Sequence, residues 1–278
     1  MFLIQLRHEL WKLFGKKRTY MGFAMFFVAQ VVILMVFRFS RASRGMGDLL
    51  ETNGYDITAF LSPLTAACFT NFWLAYLLLP LYGSLVGGDL VAKEAEDGTL
   101  RMILARPVSR TRLLLLKWLA GAAFSVVLSL LLGLTGLLIG LPFFPWGGLF
   151  AFVPGELFAV FPADVGLWRY AAAHLLMSVK ATTVMGLAFF FGCLPIKPAA
   201  ATIMALSFIF LNFILMNIPW FADLKPWFLT YHLNLWQQMY ESPIRWTRMG
   251  ESLSLLLGFN ATFFALGAAV FGLRDLKS

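Results

Sequence analysis

Charge is what this 278-residue chain lacks most: 13% of its residues are Asp, Glu, Lys or Arg, whereas 60% are hydrophobic. Soluble domains carry about 25% charged residues, so this composition excludes a soluble globular protein and predicts one that crosses the membrane several times. Cysteine and histidine are also scarce, with two and three copies. Cys68 and Cys193 fall in separate apolar runs, which argues against a disulfide framework, and three scattered histidines argue against a histidine-based metal site.

Motifs for nucleotide binding and hydrolysis are also missing. A P-loop needs a glycine five residues before its Gly-Lys pair, but the residue in that position before Gly15 is Leu10. No Asp or Glu lies in the predicted spans described next, which argues against an intramembrane aspartyl protease and against a carboxylate proton relay. We therefore predict no enzyme activity, no metal site and no cofactor bound by this chain.

The longest apolar runs predict six transmembrane helices, since about 20 residues cross a ~30 Å hydrocarbon core. They lie at residues 21–37, 61–86, 113–141, 171–194, 199–218 and 252–271. No linker or internal repeat interrupts the chain, so residues 1–278 are predicted to form a single transmembrane domain. The predicted fold class is an all-α integral membrane protein with six transmembrane helices, and a kink is expected beside Pro80 in the second of them because proline removes a backbone hydrogen bond.

Lys and Arg are distributed unequally between the loops. With the N-terminus inside, the cytoplasmic pieces hold 14 of the 22 and the outer pieces seven, while Lys180 lies within a span. The positive-inside rule therefore predicts a multi-pass protein of the cell membrane with both termini in the cytoplasm. Membrane orientation and attraction to anionic lipid headgroups explain the excess of Lys and Arg over Asp and Glu. Nucleic acid is therefore not an expected partner.

Segments outside the spans are expected to lie on the membrane surface. Residues 1–18 place leucines at helical spacing and predict an amphipathic helix on the cytoplasmic face. The outer connections 142–169 and 219–251 are rich in aromatic residues, which predicts short interfacial helices or, in the first, a re-entrant segment. An i+4 stripe runs along the second connection, at Phe228, His232, Trp236 and Tyr240. It predicts a surface helix whose rings form an aromatic belt rather than a ligand cage.

A few polar side chains interrupt the apolar spans. Lys180 is the one charge well inside a span, where a lysine costs about 2.5 to 3.5 kcal/mol on insertion scales. It either reaches the headgroups by snorkelling or lines a polar translocation path or a subunit interface. The same path or interface is a candidate role for three amides, with interhelical hydrogen bonding as the default interpretation. They are Asn71, Asn212 and Asn260.

Ten of the 36 charges are concentrated between residues 88 and 117, between the second and third spans. Asp97-Gly98 is expected to end one helix there, and Pro107 to end a short second one. Leu100, Ile103 and Leu104 share one face of that short helix by their i, i+3, i+4 spacing. Ser109 is a candidate N-cap for the helix that follows. A lipid-surface anchor is the alternative interpretation of the short helix, although its acidic flank would be repelled by an anionic leaflet.

The predicted cytoplasmic loop at residues 87–112, together with Lys117 just beyond it, resembles the cytoplasmic loop of the membrane subunits of type-2 ABC transporters. The matched positions are Glu94, Glu96, Gly98, Thr99, Leu100, Arg106, Pro107, Val108, Arg110 and Lys117. The N-terminal string from Glu9 to Leu13, before a basic cluster and a first span, is also similar to that family. The resemblance covers essentially the whole chain, except that the long aromatic outer connections depart from it.

The resemblance implies a permease subunit that is driven by a separate ABC ATPase. In that family the loop carries a coupling helix that docks on the ATPase, which binds ATP and magnesium, and the N-terminal helix is an elbow helix. The resemblance assigns coupling to Glu94, Glu96, Gly98, Thr99, Leu100, Pro107 and Arg110, and the helical spacing adds Ile103 and Leu104. Gly98 and Pro107 would shape the helix and Leu100 would dock. A second permease, identical or not, is implied, and export of a hydrophobic or amphipathic compound is the expected function. A membrane assembly or scaffold subunit that does not transport is the alternative.

Overall fold

The computed structural model of the chain describes residues 2–104, 109–153, 155 and 157–273. Its elements are α1 (Phe2–Phe14), α2 (Lys17–Phe39), α3 (Arg41–Thr52), α4 (Ile57–Phe60), α5 (Pro63–Tyr76), α6 (Leu78–Glu96), α7 (Thr99–Leu104), α8 (Arg110–Gly140), β1 (Leu149–Val153), β2 (Leu157–Phe161), α9 (Ala163–Cys193), α10 (Pro198–Asn217), a 3-10 helix (Pro219–Trp227), α11 (Leu229–His232), a second 3-10 helix (Leu235–Tyr240) and α12 (Trp246–Leu273).

Five of these helices, α2, α8, α9, α10 and α12, are long and apolar enough to span a membrane. The bent pair α5 and α6 makes a sixth if it is counted as one span. The long helices alternate in direction, so one end of the bundle carries α1, α7 and the end of α12, and the other carries α3 and the two strands. These ends are called the α1 side and the hairpin side below.

The break in the second span falls at Leu77, where α5 and α6 meet at 46°. The kink was predicted beside Pro80, and the observed break lies about one helical turn before it. This offset arises because proline has no N–H to donate to the carbonyl four residues earlier, and its ring collides with that carbonyl. For Pro80 the affected carbonyl belongs to Tyr76, the last residue of α5.

Helix α9 occupies the centre of the bundle, and two-thirds of its most apolar stretch is buried. It packs against α6, α8 and α12, and the contact with α6 needs glycine. A Cβ atom at Gly87 would overlap the carbonyl oxygen of Met185. On α8, a Cβ at Gly140 would lie 3.2 Å from the Cα of Pro63. Small residues thus let backbones approach closely, as is usual where helices associate in membranes.

The expectation of helices or a re-entrant segment in residues 142–169 is wrong, and the fold is not purely α-helical. Leu149–Val153 and Leu157–Phe161 form an antiparallel hairpin in which Leu149 pairs with Phe161. Phe150 is buried against Leu34 and Leu50, so the hairpin covers the end of α2 and α3. Two runs of five apolar residues separated by three residues that include a glycine are a hairpin pattern, and the aromatic content obscured it.

The second outer connection contains the short helices predicted for it, because α11 and the two 3-10 helices lie between residues 219 and 240. They do not form the single surface helix expected from the aromatic stripe, and Trp236 and Tyr240 are buried in the main core rather than displayed at a membrane interface. Trp220 and Trp227 are the strongly exposed rings instead. Helix α9 begins at Ala163, eight residues before the predicted start. The prediction placed Arg169 in the outer loop, whereas the structure places it in the first turns of α9. The Arg169 guanidinium donates to the carbonyls of Met239 and Glu241 at 2.9 and 2.7 Å.

Candidate functional site: the segment between α6 and α8

The short helix predicted after Gly98 is present as α7. Gly98 has φ = +72°, a conformation that glycine adopts without steric cost, and it separates α6 from α7. The Thr99 hydroxyl donates to the carbonyl of Glu94 at 3.3 Å. As predicted, the Ser109 side chain caps α8 by accepting from the amide of Arg112. Pro107 lies outside the described residues.

The apolar face of α7 turns inward, onto the protein itself. Leu100 is 1% exposed and belongs to a core cluster with Phe189 of α9 and Phe271 of α12, against which Ile103 also packs. The expectation that the Leu100 side chain docks on a partner therefore needs correction: it lies in the core, where it can only position α7. Among the described side chains of α7, Met102 is the large apolar one that is exposed, at 67%. The side chain of Leu104 lies outside the described residues.

A cluster of four charged side chains, called the ion cluster below, joins α1 to the helices on either side of α7. The ammonium of Lys117, on α8, lies 2.7 Å from Glu94 of α6 and 3.0 Å from Glu9 of α1. Lys12 of α1 contacts the same two carboxylates at 3.0 and 3.3 Å. The Lys117 side chain is 1% exposed and that of Lys12 is 48% exposed. Burial alone would lower the pKa of Lys12, but Glu9 and Glu94 raise it above its usual value, so Lys12 stays charged at neutral pH.

The remaining coupling candidates, Glu96 and Arg110, lie on the two helices that flank α7. Glu96 pairs with Lys93 on the surface of α6, at 2.8 Å. Arg110 donates to the carbonyls of Phe271 and Gly272 at 3.2 and 3.0 Å, which ties the start of α8 to the end of α12. The segment that carries α7 is therefore attached to α1 through the ion cluster and to α12 through Arg110.

Asn71 lies at the centre of a buried hydrogen-bond network that joins α2, α5 and α9 and reaches α8 through backbone carbonyls. Its amide group donates to the hydroxyl of Tyr170 at 2.9 Å and faces Nε2 of His174 at 3.0 Å, while its oxygen accepts from Gln30 at 3.0 Å. Every donor has an acceptor when His174 carries its proton on Nδ1, which donates to the Tyr170 carbonyl at 2.8 Å. Asn71 thus fits the default interpretation, interhelical hydrogen bonding.

The other two amides also bond to neighbouring elements. Asn212 of α10 accepts from the amide and the hydroxyl of Thr230, both at 2.9 Å. Asn260 of α12 donates to Thr183 of α9 at 2.7 Å. The structure does not bring these amides together around one path.

Lys180 does not reach the surface. Its side chain is 3% exposed, so the snorkelling alternative is wrong. The ammonium lies 4.8 Å from the centre of the Tyr76 ring, at the break between α5 and α6. Lys180 borders a cavity, together with Leu77, Pro80 and residues of α10.

Comparison with known proteins now identifies the family. A family model described as "ABC-2 family transporter protein" matches residues 24–276, nearly the whole chain. The chain belongs to the ABC-2 transporter family. Within that family the chain is the permease component. The chain is also similar to the uncharacterised protein YhcI of Bacillus subtilis (strain 168), with 29% identity over 101 residues. That match covers 36% of the permease and 30% of the relative.

The sequence did not predict a role for two residues of this site, Met102 of α7 and Glu9 of α1. Met102 was passed over because the inward and outward faces of a six-residue helix cannot be told apart by spacing alone. Glu9 was noted only as part of the N-terminal string. Its partner Lys117 was visible as a charge at the edge of an apolar span, and such a charge needs a counter-ion. The need of Lys117 for a counter-ion could therefore have predicted the ion cluster.

Replacing Asn71 by alanine is expected to destabilise the permease by about 1 to 3 kcal/mol, because it leaves buried donors and acceptors of Gln30, Tyr170 and His174 without a partner. A single interhelical hydrogen bond in a membrane contributes about 0.6 kcal/mol on average. A loss of about 1 to 3 kcal/mol is expected because one substitution leaves several members of the network without partners. The measurement is SDS-titrated unfolding in detergent micelles. Asn217→Ala is the control, because Asn217 is exposed and bonds only to the carbonyl of Phe213 among the described residues. Equal small effects for the two variants would contradict the network interpretation.

Proposed function

We propose that the permease exports an amphipathic compound, or extracts it from the membrane, using ATP that a separate ABC ATPase hydrolyses on the α1 side. The positive-inside asymmetry supports a cytoplasmic location for that side. The observation that carries the proposal is the mounting of α7. It stands between the ends of two candidate spans, faces outward with Met102 and is anchored inward by Leu100.

This mounting suits α7 for transmitting movement. Through Gly98 it continues into α6, and Ser109 caps α8 just beyond it. Its inner face belongs to the same core cluster as Phe189 of α9 and Phe271 of α12. A closely packed cluster of this kind is stiff, so a displacement of α7 by a docked ATPase moves four helices together. The ion cluster adds α1 to the moving unit, which is the part we assign to an elbow helix.

A second permease subunit completes the proposed transporter. Helices α2, α10 and α12 are only 17 to 28% buried along their most apolar stretches. Lipid can cover such faces, and so can a second copy. We infer a pair of permeases with two ATPases, since one α7 segment on each permease then meets one ATPase.

The test is ATP-dependent movement of NBD-labelled lipids in vesicles that contain the permease and its ATPase. Lipids with anionic, zwitterionic and neutral headgroups are compared, and the control is an ATPase whose P-loop lysine is replaced. We expect movement of at least one lipid that stops in the control. A stable complex that hydrolyses ATP but moves none of the lipids would favour the scaffold alternative, and absence of a complex would refute both.

A further inference from the structure

Lys180 lies in a cavity of about 170 Å³ under the break between α5 and α6. The cavity is bordered by Leu77 and Pro80 at the break and by Phe210 and Phe213 of α10. No carboxylate of the described residues forms an ion pair with Lys180. A buried cation without a counter-ion costs several kcal/mol, and the Tyr76 ring offsets only about 2 kcal/mol of this even in a desolvated site. The cavity therefore has an electrostatic requirement that the described chain does not meet.

A second cavity, of about 320 Å³, adjoins the first on the hairpin side. Asn234 borders both, and Gln237 of the second donates to the hydroxyl of Tyr76 at 2.6 Å. The charged residues around it are three basic and one acidic: Lys225, Arg245, Arg248 and Glu241. This cavity is polar and basic, whereas the first is mostly apolar.

Polar atoms around the second cavity lack partners within the described residues. The side-chain oxygen of Gln238 and the Nε atom of Arg248 are buried and accept or donate no hydrogen bond there. Gln238 is 5% exposed. Buried polar groups are nearly always satisfied, so each exception needs an explanation. A polar headgroup in the cavity would supply the missing partners.

An apolar surface continues from the first cavity to the outside of the bundle. Phe210 and Phe213 border the cavity, and both are about half exposed on α10. Leu206 and Ile209 border it as well. An acyl chain that lies along this part of α10 would place its polar end at Lys180.

We propose that these two cavities form a binding site for an amphipathic anion. Its carboxylate or phosphate pairs with Lys180, its remaining polar head occupies the basic cavity, and its apolar chain lies along α10. The proposal rests on the proposed function insofar as this molecule is the cargo. The binding itself needs neither ATP nor the ATPase.

Binding to the purified chain in nanodiscs of a zwitterionic lipid tests this site. The probes are a fluorescent long-chain fatty acid and its methyl ester, which share the chain and differ in charge. We expect the acid to bind more tightly than the ester. Lys180→Met should raise the Kd of the acid by about 10- to 100-fold, because a charge-assisted hydrogen bond contributes about 1.5 to 3 kcal/mol. The Kd of the ester should stay the same, and Lys180→Arg should retain most of the affinity for the acid.

Control variants separate loss of the site from loss of the fold. Lys197→Met removes an exposed lysine at the start of α10 and should leave both probes unaffected. Phe213→Ala should weaken the acid and the ester equally, since it touches only the chain. This second variant keeps the proposal testable if Lys180→Met fails to fold. Competition then identifies the source of the anion: displacement by phosphatidic acid in the disc indicates a membrane lipid, and displacement only by dodecyl phosphate indicates a free amphiphile.

Three results would overturn the site: equal affinity of the unchanged chain for acid and ester, no effect of Lys180→Met on the acid, or dissociation of a permease dimer by Lys180→Met with binding intact. The last would mean that Lys180 pairs with a carboxylate of a second subunit. Failure of binding leaves the transport test above unaffected. Intact binding without ATP-dependent movement counts against the proposed function alone.

Discussion

Lys117→Met is expected to lower the free energy of unfolding of the permease by about 3 to 5 kcal/mol. The ammonium of Lys117 is buried between Glu9 and Glu94, and its removal leaves two largely buried carboxylates, 14% and 18% exposed, without their nearest cation. The hydrophobic replacement has a similar length, so a packing defect contributes little. The measurement is the SDS-titrated unfolding curve in detergent micelles, followed by tryptophan fluorescence.

Lys12→Met is the matched control for this prediction. Lys12 contacts the same two carboxylates, but its side chain is 48% exposed. Exposed pairs contribute about 0 to 1 kcal/mol, because solvent screens them. The two substitutions are chemically identical and differ in burial. If they shift the unfolding curve equally, the ion cluster does not hold α1 to α6 and α8 as described.

Met102→Asp is expected to weaken binding of the ATPase by about 30-fold or more without destabilising the permease. A central apolar contact in a protein interface contributes about 2 kcal/mol or more, which corresponds to that factor. Met102 is 67% exposed on the outward face of α7, so the substitution changes no described core contact. The measurements are the Kd of the permease for its ATPase, the stimulation of ATP hydrolysis and the thermal midpoint of the permease alone.

The control variants are Met102→Leu, which keeps an apolar surface and should bind normally, and Leu100→Asp. Leu100→Asp puts a charge into the core between α7, α9 and α12, so it is expected to destabilise the permease itself. Loss of ATPase binding in that variant would therefore say nothing about docking. A Met102→Asp permease that binds and stimulates its ATPase normally would refute docking through this face of α7.

Structural features that are determined by a few neighbouring residues could be predicted from the sequence. The apolar runs located the long helices, the leucine spacing located α1, and Gly98 and Ser109 marked the ends of α6 and the start of α8. Each of these depends on composition, on a backbone conformation or on a cap within a few residues. Such determinants act before the chain has any tertiary structure, and they are visible in one sequence.

Features that depend on distant partners could not be predicted. The spacing of Leu100 and Ile103 required their face to be covered, but it could not say whether the cover is an ATPase or the Phe189 region of the same chain. Phe150 and Trp236 were assigned to a membrane interface, because aromatic rings suit that place as well as they suit a protein core. Burial by a particular neighbour is a tertiary property, and no local pattern carries it.

The ion cluster also constrains the order in which the permease is assembled. Helix α1 is synthesised before α6 and α8, yet its Lys12 pairs with a residue 82 positions later and its Glu9 with one 108 positions later. Neither partner exists when α1 leaves the ribosome, so α1 must wait on the membrane surface, held by exposed apolar residues such as Leu3 and Trp11. It can take its final place only when the first turns of α8 have been made. Docking of α1 therefore cannot precede completion of the segment between α6 and α8.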